Sequence, residues 1–296
     1  PSPCHGMMLS AGAAPCPSDL KPAKGNLAPT LFQFGAFAVR GYGFMIALAI
    51  PLALLVMGWH AKKRGHGVLA ARLPEAFLLS AFAAYLGGKL AFILGYPEEF
   101  QKLLADAGWA GVLKQGFVYY GALLLQIPAA VIFFRWLRVP FLAGLDSFVV
   151  GIPIMHAMGR VGCFLAGCCY GCRTDSPLQV TFQEGIGLNG VPLHPIQLYE
   201  ALGNLLILGF LLFLSKRRPA PGTLTLAYFL GYALLRFFTE GLRGDGNPTY
   251  TGASQSHVLG NPPPGVTLSQ WIALATAVVL VPILLLRLKG TPRKNA

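Results

Sequence analysis

Charge is scarce in this chain, and negative charge is scarcest. Only 11% of its 296 residues are charged, with 11 Asp and Glu against 23 Lys and Arg, where a soluble domain carries about 25%. Disorder needs the opposite balance, low hydrophobicity with dense charge, and is excluded. Cysteine is also sparse: six in 296 residues are too few for a small disulfide scaffold. The 36 Gly and 23 Pro follow no three-residue period, which excludes a collagen-like fibre. What is abundant is apolar surface, 54% of the residues. That balance argues against a water-soluble enzyme and for a chain that meets lipid, where Gly and Pro are also more frequent.

Seven apolar stretches have about the 20-residue length needed to cross a bilayer. They cover roughly 36–58, 75–96, 112–134, 139–165, 196–214, 222–241 and 266–286. Each ends at a run that hydrocarbon does not accept, among them HAKKRGHG, YPEEF, SKRRPAPG and EGLRGDGN. Pro51, Gly87, Gly88, Pro128, Pro153 and Pro282 lie inside the stretches, which predicts helices that approach one another closely. The expected architecture is therefore an all-α, polytopic membrane protein with about seven transmembrane helices.

Basic residues give the expected orientation. Lys62, Lys63, Arg64, Arg72, Arg135, Arg138, Lys216, Arg217, Arg218, Arg287, Lys289, Arg293 and Lys294 all fall on one side of a seven-span alternation. The opposite loops hold Asp19, Glu98, Glu99, Asp106, Asp175, Glu184 and Asp245. The positive-inside rule places the N-terminus outside and the C-terminus in the cytoplasm. The basic excess is topological, so no nucleic-acid partner is expected. Three parts are expected: a flexible external tail at 1–33, a membrane domain at 34–288 and a basic cytoplasmic tail at 289–296. Residues 1–30 lack a basic segment followed by an apolar core and do not read as a signal peptide. The chain opens at Pro1 without Met, which leaves room for further N-terminal sequence.

Ionisable residues inside spans are costly and mark function by default. In this topology they gather near the outer leaflet. Arg40 and Tyr42 begin span one, Lys89 lies in span two, and Tyr119 and Tyr120 lie in span three. His156 and Arg160 are near the outer end of span four. Span five begins with His194, Gln197, Tyr199 and Glu200, and span six ends with Tyr232, Arg236, Glu240 and Arg243. Asp146, near the inner side, is the exception. Four cations (Arg40, Lys89, Arg160 and Arg236) face two acids, Glu200 and Glu240. A cationic surplus in low dielectric needs an anion, and the planar fork of Arg suits phosphate. A pocket for a phosphate-bearing lipid headgroup is the expectation. Plainer roles stand beside it: Arg40, Lys89 and Arg243 as anchors snorkelling to water, Arg236 with Glu240 as an i,i+4 pair, and Tyr119 or Tyr120 as an aromatic belt. Arg160 has no acid at i±3 or i±4, and it fits a plain structural role least.

Cys4 and Cys16 lie in the tail, while Cys163, Cys168, Cys169 and Cys172 form C-x4-C-C-x2-C after span four. On the outer side of a bacterial inner membrane disulfides are permitted. The run also suits structural thiols, a metal or iron–sulfur group, or redox chemistry, and spacing does not choose between these.

The segment AGLDSFVVGIPIMHAMGRVGCFLAGCCYG resembles the signature of the prolipoprotein diacylglyceryl transferase family of bacterial inner-membrane enzymes. Asp146, Pro153, Gly159, Arg160, Gly162, Phe164, Gly167 and Gly171 match it. RGYGFM at 40–45, GGKL at 87–90, HPIQLYE at 194–200, LRFFTEGLR at 235–243 and LSQW at 268–271 are similar in order. The resemblance covers residues 34–288. It implies transfer of a diacylglyceryl group from phosphatidylglycerol to the lipobox cysteine thiol of a preprolipoprotein signal peptide, in the multi-pass setting of the lipid bilayer and without a cofactor or metal. By matching position, Arg160 and Arg236 would be catalytic and bind the phosphate, and Glu240 would orient Arg236. Tyr42 and Tyr232 would line the lipid site, and the cationic surplus adds Arg40 and Lys89 to the residues expected to bind the phospholipid.

Three departures accompany the match. The family's His-Gly-Gly reads Tyr120-Gly121-Ala122, two signature Asn read Cys163 and Ala166, and the signature Glu reads Cys168. Tyr120, Glu200, His156 and His194 are the candidates for the base that ionises the attacking thiol, whose ordinary pKa is near 8.5. Two further expectations stay beside the main one: a paralogue that transfers a phospholipid-derived group to another acceptor, and a membrane thiol-redox or metal-binding protein using the Cys163–Cys172 cluster.

Overall fold

A computed structural model of the chain describes residues 30–34, 37–182, 190–243 and 268–289. Cys4, Cys16, Glu184, Asp245, Arg293 and Lys294 lie outside the described residues. A short antiparallel hairpin, β1 (Thr30–Phe34) with β2 (Phe37–Arg40), comes first. Ten helices follow among the described residues: α1 (Gly41–Lys63), α2 (Gly67–Ala71), α3 (Leu73–Gly95), α4 (Pro97–Lys114), α5 (Tyr119–Trp136), α6 (Phe141–Val149), α7 (Ile152–Leu165), α8 (Ile196–Lys216), α9 (Thr223–Glu240) and α10 (Leu268–Lys289). Between α7 and α8, β3 (Val180–Thr181) pairs antiparallel with β4 (Pro192–Leu193).

The chain is an all-α multi-pass membrane protein. Six helical segments among the described residues are long and apolar enough to cross a bilayer: Gly41–Lys63, Leu73–Gly95, Tyr119–Trp136, Phe141–Leu165, Ile196–Lys216 and Ser269–Leu288. No more than 39% of any of them is buried, and Leu94, Leu124 and Leu286 are 81%, 71% and 71% exposed. A protein surrounded by water does not present such continuous apolar faces; hydrocarbon is the solvent that accepts them.

The count differs from the expected seven. The stretch at 222–241 is helix α9, but Thr223, Thr225, Arg236, Thr239 and Glu240 keep it less apolar than the other six. Span one begins only at Gly41, because Phe37–Arg40 is strand. Span three begins at Tyr119, because residues 112–114 end α4. Helix α4 was not legible as a separate element. It carries Glu98, Glu99, Lys102, Asp106 and Lys114 and is interrupted at Gly108, whose φ of 59° is non-helical.

The chain divides into two compact units, Leu54–Phe148 and the residues on either side of it. In the first, α3 packs along α5, with α4 beside α3. The crossing of α3 and α5 depends on an absence of side chains. A Cβ on Gly87 would sit 2.3 Å from the Gly121 carbonyl oxygen, and one on Gly121 would sit 2.2 Å from the Ala91 Cβ. Small residues let backbones meet at this distance within a membrane. In the second unit α7 packs on α8, α8 on α9, and α9 on α10.

Overfilling a close-packed contact costs about 1–3 kcal/mol. Gly87→Ala is expected to lower the thermal unfolding midpoint of the purified protein in detergent. Gly209→Ala, where nothing lies within 4 Å of the added Cβ, is expected to leave it unchanged.

Candidate functional site

The site is built by α7, α8, α9 and the loop after α7, all in one unit. Helix α8 carries Glu200, whose side chain is 5% exposed. One carboxylate oxygen, Oε2, pairs with Nε of Arg160 on α7. The other, Oε1, is 3.1 Å from Nη1 of Arg236 on α9 and also accepts a hydrogen bond from the Thr239 hydroxyl at 3.1 Å. Arg236 is held a second time: its Nη2 is 2.5 Å from Oε2 of Glu240, one turn along α9. The result is a chain of alternating charge, Arg160–Glu200–Arg236–Glu240, joining three helices.

This arrangement changes the charge argument made from sequence. Both arginines have carboxylate partners, and the pair at 200 and 160 bridges helices that sequence spacing does not connect. Lys89 belongs to the other unit and is 8% exposed. Its ammonium donates to the carbonyl oxygens of Val112, Gln115 and Gly116, the C-terminal groups of α4 that no helical N–H satisfies. Tyr120 belongs to that unit too, exposed at the start of α5 with its ring 5.9 Å from that of Tyr119. Arg40 is exposed at the end of β2.

Aromatic residues sit one turn before each arginine. His156 precedes Arg160 by four residues, and Tyr232 precedes Arg236 by four. The two rings meet at a centroid distance of 5.1 Å, and His156 Nδ1 is 3.2 Å from the Tyr228 hydroxyl. Tyr42, at the start of α1, lies against Gly162: an added Cβ there would be 3.0 Å from its ring. Tyr42 is within electrostatic range of Arg160 and of Cys163, Cys168 and Cys169. Tyr42, Tyr232, Arg160, Arg236 and Glu240 therefore belong to one unit. Glu200 and His156 stood among the candidate bases in the sequence, but the role of Glu200 as hub between two arginines, and that of Thr239 beside it, were not read there. The signals for Glu200 were its place as one of two acids at the depth of the cations and its position in the HPIQLYE run.

Helix α7 ends in a Schellman turn. The Gly167 N–H donates to the Phe164 carbonyl at 3.0 Å and the Cys168 N–H to the Cys163 carbonyl at 3.1 Å, the paired bonds of that motif. Gly167 has φ of 67°, a conformation open to glycine at little cost. Cys169 then also takes a left-handed φ, 61°, a conformation a residue with a Cβ holds only when its surroundings impose it. One of those surroundings is Gln197, whose Nε2 donates to the Cys168 carbonyl at 2.7 Å. Farther along, Gly171 donates to the His194 carbonyl, and His194 and Cys172 donate to the Cys172 and Leu242 carbonyls.

Two left-handed residues, Gly167 and Cys169, with Cys168 between them, fold the loop back on the helix end. The Sγ atoms of Cys163, Cys168 and Cys169 come within 4.8 Å of one another. All three are free thiols, whereas Cys172 is disulfide-bonded. Hydrogen bonds from Cys163 and Cys168 draw the Cys169 thiol below its ordinary pKa, and the charges of Arg160 and Arg243 add to this. Hydrogen bonding with Cys163 and Cys169 raises that of Cys168. Burial lowers the pKa of His194, whose Nδ1 is 3.3 Å from the Tyr199 hydroxyl.

Removing one member of a buried ion-pair network leaves an uncompensated charge and costs about 3–5 kcal/mol. Glu200→Ala would leave Arg160 and Arg236 to repel one another. It is expected to lower the thermal midpoint in detergent well below that of Glu200→Gln, which keeps the acceptor oxygen for Thr239.

Comparison with known proteins gives the same picture over most of the chain. The family model described as prolipoprotein diacylglyceryl transferase matches residues 29–286. The chain is similar to the phosphatidylglycerol–prolipoprotein diacylglyceryl transferase of Clostridium tetani, with 31% identity over 230 residues, 77% of this chain and 90% of that protein. It is also similar to the transferase of that name numbered 2 in Clostridium perfringens, 32% identical over 70% of this chain and 80% of the relative. A third relative of that name, from Parasynechococcus marenigrum, is 33% identical over 76% of this chain and 82% of its own length. Because the match runs from the hairpin into α10 and takes in the whole buried network, the chain belongs to the prolipoprotein diacylglyceryl transferase family.

Proposed function

We propose that this protein transfers a diacylglyceryl group from phosphatidylglycerol to the lipobox cysteine thiol of a preprolipoprotein, releasing glycerol phosphate, at the outer face of the bacterial inner membrane. The basic loops support an N-out, C-in orientation. The names of the relatives supply the two substrate classes. The observation that carries the reading is the bridging of Arg160 and Arg236, from two helices, by one buried carboxylate.

The chemistry needs such a pair. The acceptor sulfur, as a thiolate, forms a bond to a glyceryl carbon. The carbon–oxygen bond to phosphate breaks, and its electron pair leaves with glycerol phosphate, so negative charge grows on the phosphate. Donors aimed at that charge and held in place beforehand lower the barrier. The roles of the two arginines differ. Both terminal nitrogens of Arg236 are occupied by carboxylates, which fixes its plane. The pairing of Arg160 runs through Nε, and its two terminal amino groups make no hydrogen bond to a described residue. Arg160 is thus the donor of the bidentate contact to phosphate, and Arg236 supplies the positive field behind it. Glu240 is a positioning residue acting through Arg236, and Tyr42 and Tyr232 flank the headgroup.

Removing one charge-stabilising donor costs on the order of 10²–10³ in rate in comparable sites. Arg160→Ala is expected to reduce transfer of labelled lipid to a lipobox peptide by that order. Arg160→Lys is expected to recover little of it, since an ammonium lacks the two-pronged geometry. Wild-type transfer by both Arg160→Ala and Arg236→Ala would overturn the assignment. Rescue of cells depleted of their own transferase tests the substrate in the same experiment series.

A further inference from the structure

We propose that Cys163, Cys168 and Cys169 form a three-thiolate site for one thiophilic divalent cation of the Zn²⁺ class, with its fourth coordination position left for the acceptor thiol. The role of that fourth position rests on the transfer reaction proposed above; the cation site itself does not.

The geometry is close to what such an ion needs. Zinc–sulfur bonds of about 2.3 Å in a tetrahedron place the sulfurs about 3.8 Å apart. The three Sγ atoms lie within 4.8 Å of one another, so side-chain rotations closing roughly 1 Å suffice. The cluster is built by the backbone: the Schellman turn returns Cys168 over Cys163, and the left-handed Cys169 brings in the third sulfur. Gln197 holds the loop from α8. Cys172 on the same loop is disulfide-bonded while these three remain thiols. Three sulfur ligands select zinc-like ions over magnesium or calcium. Three thiolates and a divalent ion leave one net negative charge, and Arg160 and Arg243 are both within electrostatic range of Cys169 to offset it.

The position of the site suits the reaction. Cys163 follows Arg160 by three residues, so the two share a face of α7. The group that would hold the phosphate and the group that would hold the nucleophile are then one helical turn apart. A thiol bound to such an ion is deprotonated. Its proton passes to solvent, its sulfur bonds to the glyceryl carbon, and the carbon–oxygen bond breaks with the electron pair departing on glycerol phosphate.

Full-length protein in detergent, stripped with a chelator and without added phospholipid, would be titrated with Co²⁺. The expected result is a sulfur-to-cobalt charge-transfer absorption that saturates at one equivalent and is lost in Cys163→Ser, Cys168→Ser and Cys169→Ser. A lipobox peptide should shift the visible cobalt bands, and the same peptide with Ser in place of Cys should not. No charge-transfer band in the wild-type protein would overturn the proposal. So would a band surviving all three substitutions, a spectrum indifferent to the thiol peptide, or full transfer by protein shown metal-free by elemental analysis. The wild-type titration depends on no variant folding and on no lipid. Failure of zinc-loaded protein to transfer lipid would count against the transferase reading alone.

Discussion

A carboxylate shared by two guanidinium groups, deep among apolar helices, constrains everything near it. In water the attraction of Glu200 for Arg160 and Arg236 would amount to little, but at low dielectric an unpaired charge is severely penalised. Each arginine therefore ties its helix to α8, and Glu240 closes the chain of charges on α9. The network sets the mutual rotation of α7, α8 and α9, because a carboxylate with two oxygens can serve two guanidinium groups only from fixed directions. Hydrophobic burial cannot set that rotation here, since lipid tails receive the apolar faces as well as another helix would.

The aromatic residues one turn before each arginine follow from the same constraint. Once Arg160 and Arg236 converge on Glu200, the residues four positions earlier on α7 and α9 must also converge, and His156 meets Tyr232. The opposite solution appears in the unit Leu54–Phe148. There Lys89 has no carboxylate partner among the described residues, and its charge is spread over three carbonyl oxygens at the end of α4. Both devices neutralise a cation in a low-dielectric setting. Only the first leaves guanidinium amino groups for a guest, because Arg has more donors than its partners accept.

The loop after α7 connects the network to the thiols. A helix must stop where its last carbonyls find donors, and Gly167 allows the Schellman turn that provides them. That turn places the Cys168 N–H on the Cys163 carbonyl, so two cysteines five residues apart become neighbours as a consequence of ending the helix. The left-handed Cys169 adds the third. In the pattern the family resemblance implies, two of these positions carry an amide and a carboxylate. Their replacement by thiols changes the local chemistry from hard oxygen donors to soft sulfur while the turn itself is kept.

Local chemistry was legible in the sequence. Apolar runs of bilayer length, their polar ends, the Gly87 contact and the i,i+4 relation of Arg236 to Glu240 all follow from the period of a helix and the length of a span. Arg160 stood out because it had no local partner. Its partner was not readable, since Glu200 is 40 residues away and pairing across helices depends on which faces meet. The fate of Lys89 was hidden for the same reason, as α4 and the carbonyls at its end exist only once the chain has turned back on α3. Nor did C-x4-C-C-x2-C say which sulfurs converge, because two left-handed backbone angles decide that. Composition and periodicity thus determined that the chain enters lipid and which charges must be accounted for. Tertiary structure alone decided which opposite charge or carbonyl met each of them, because in low dielectric a charge is settled by whatever neighbour the fold brings to it.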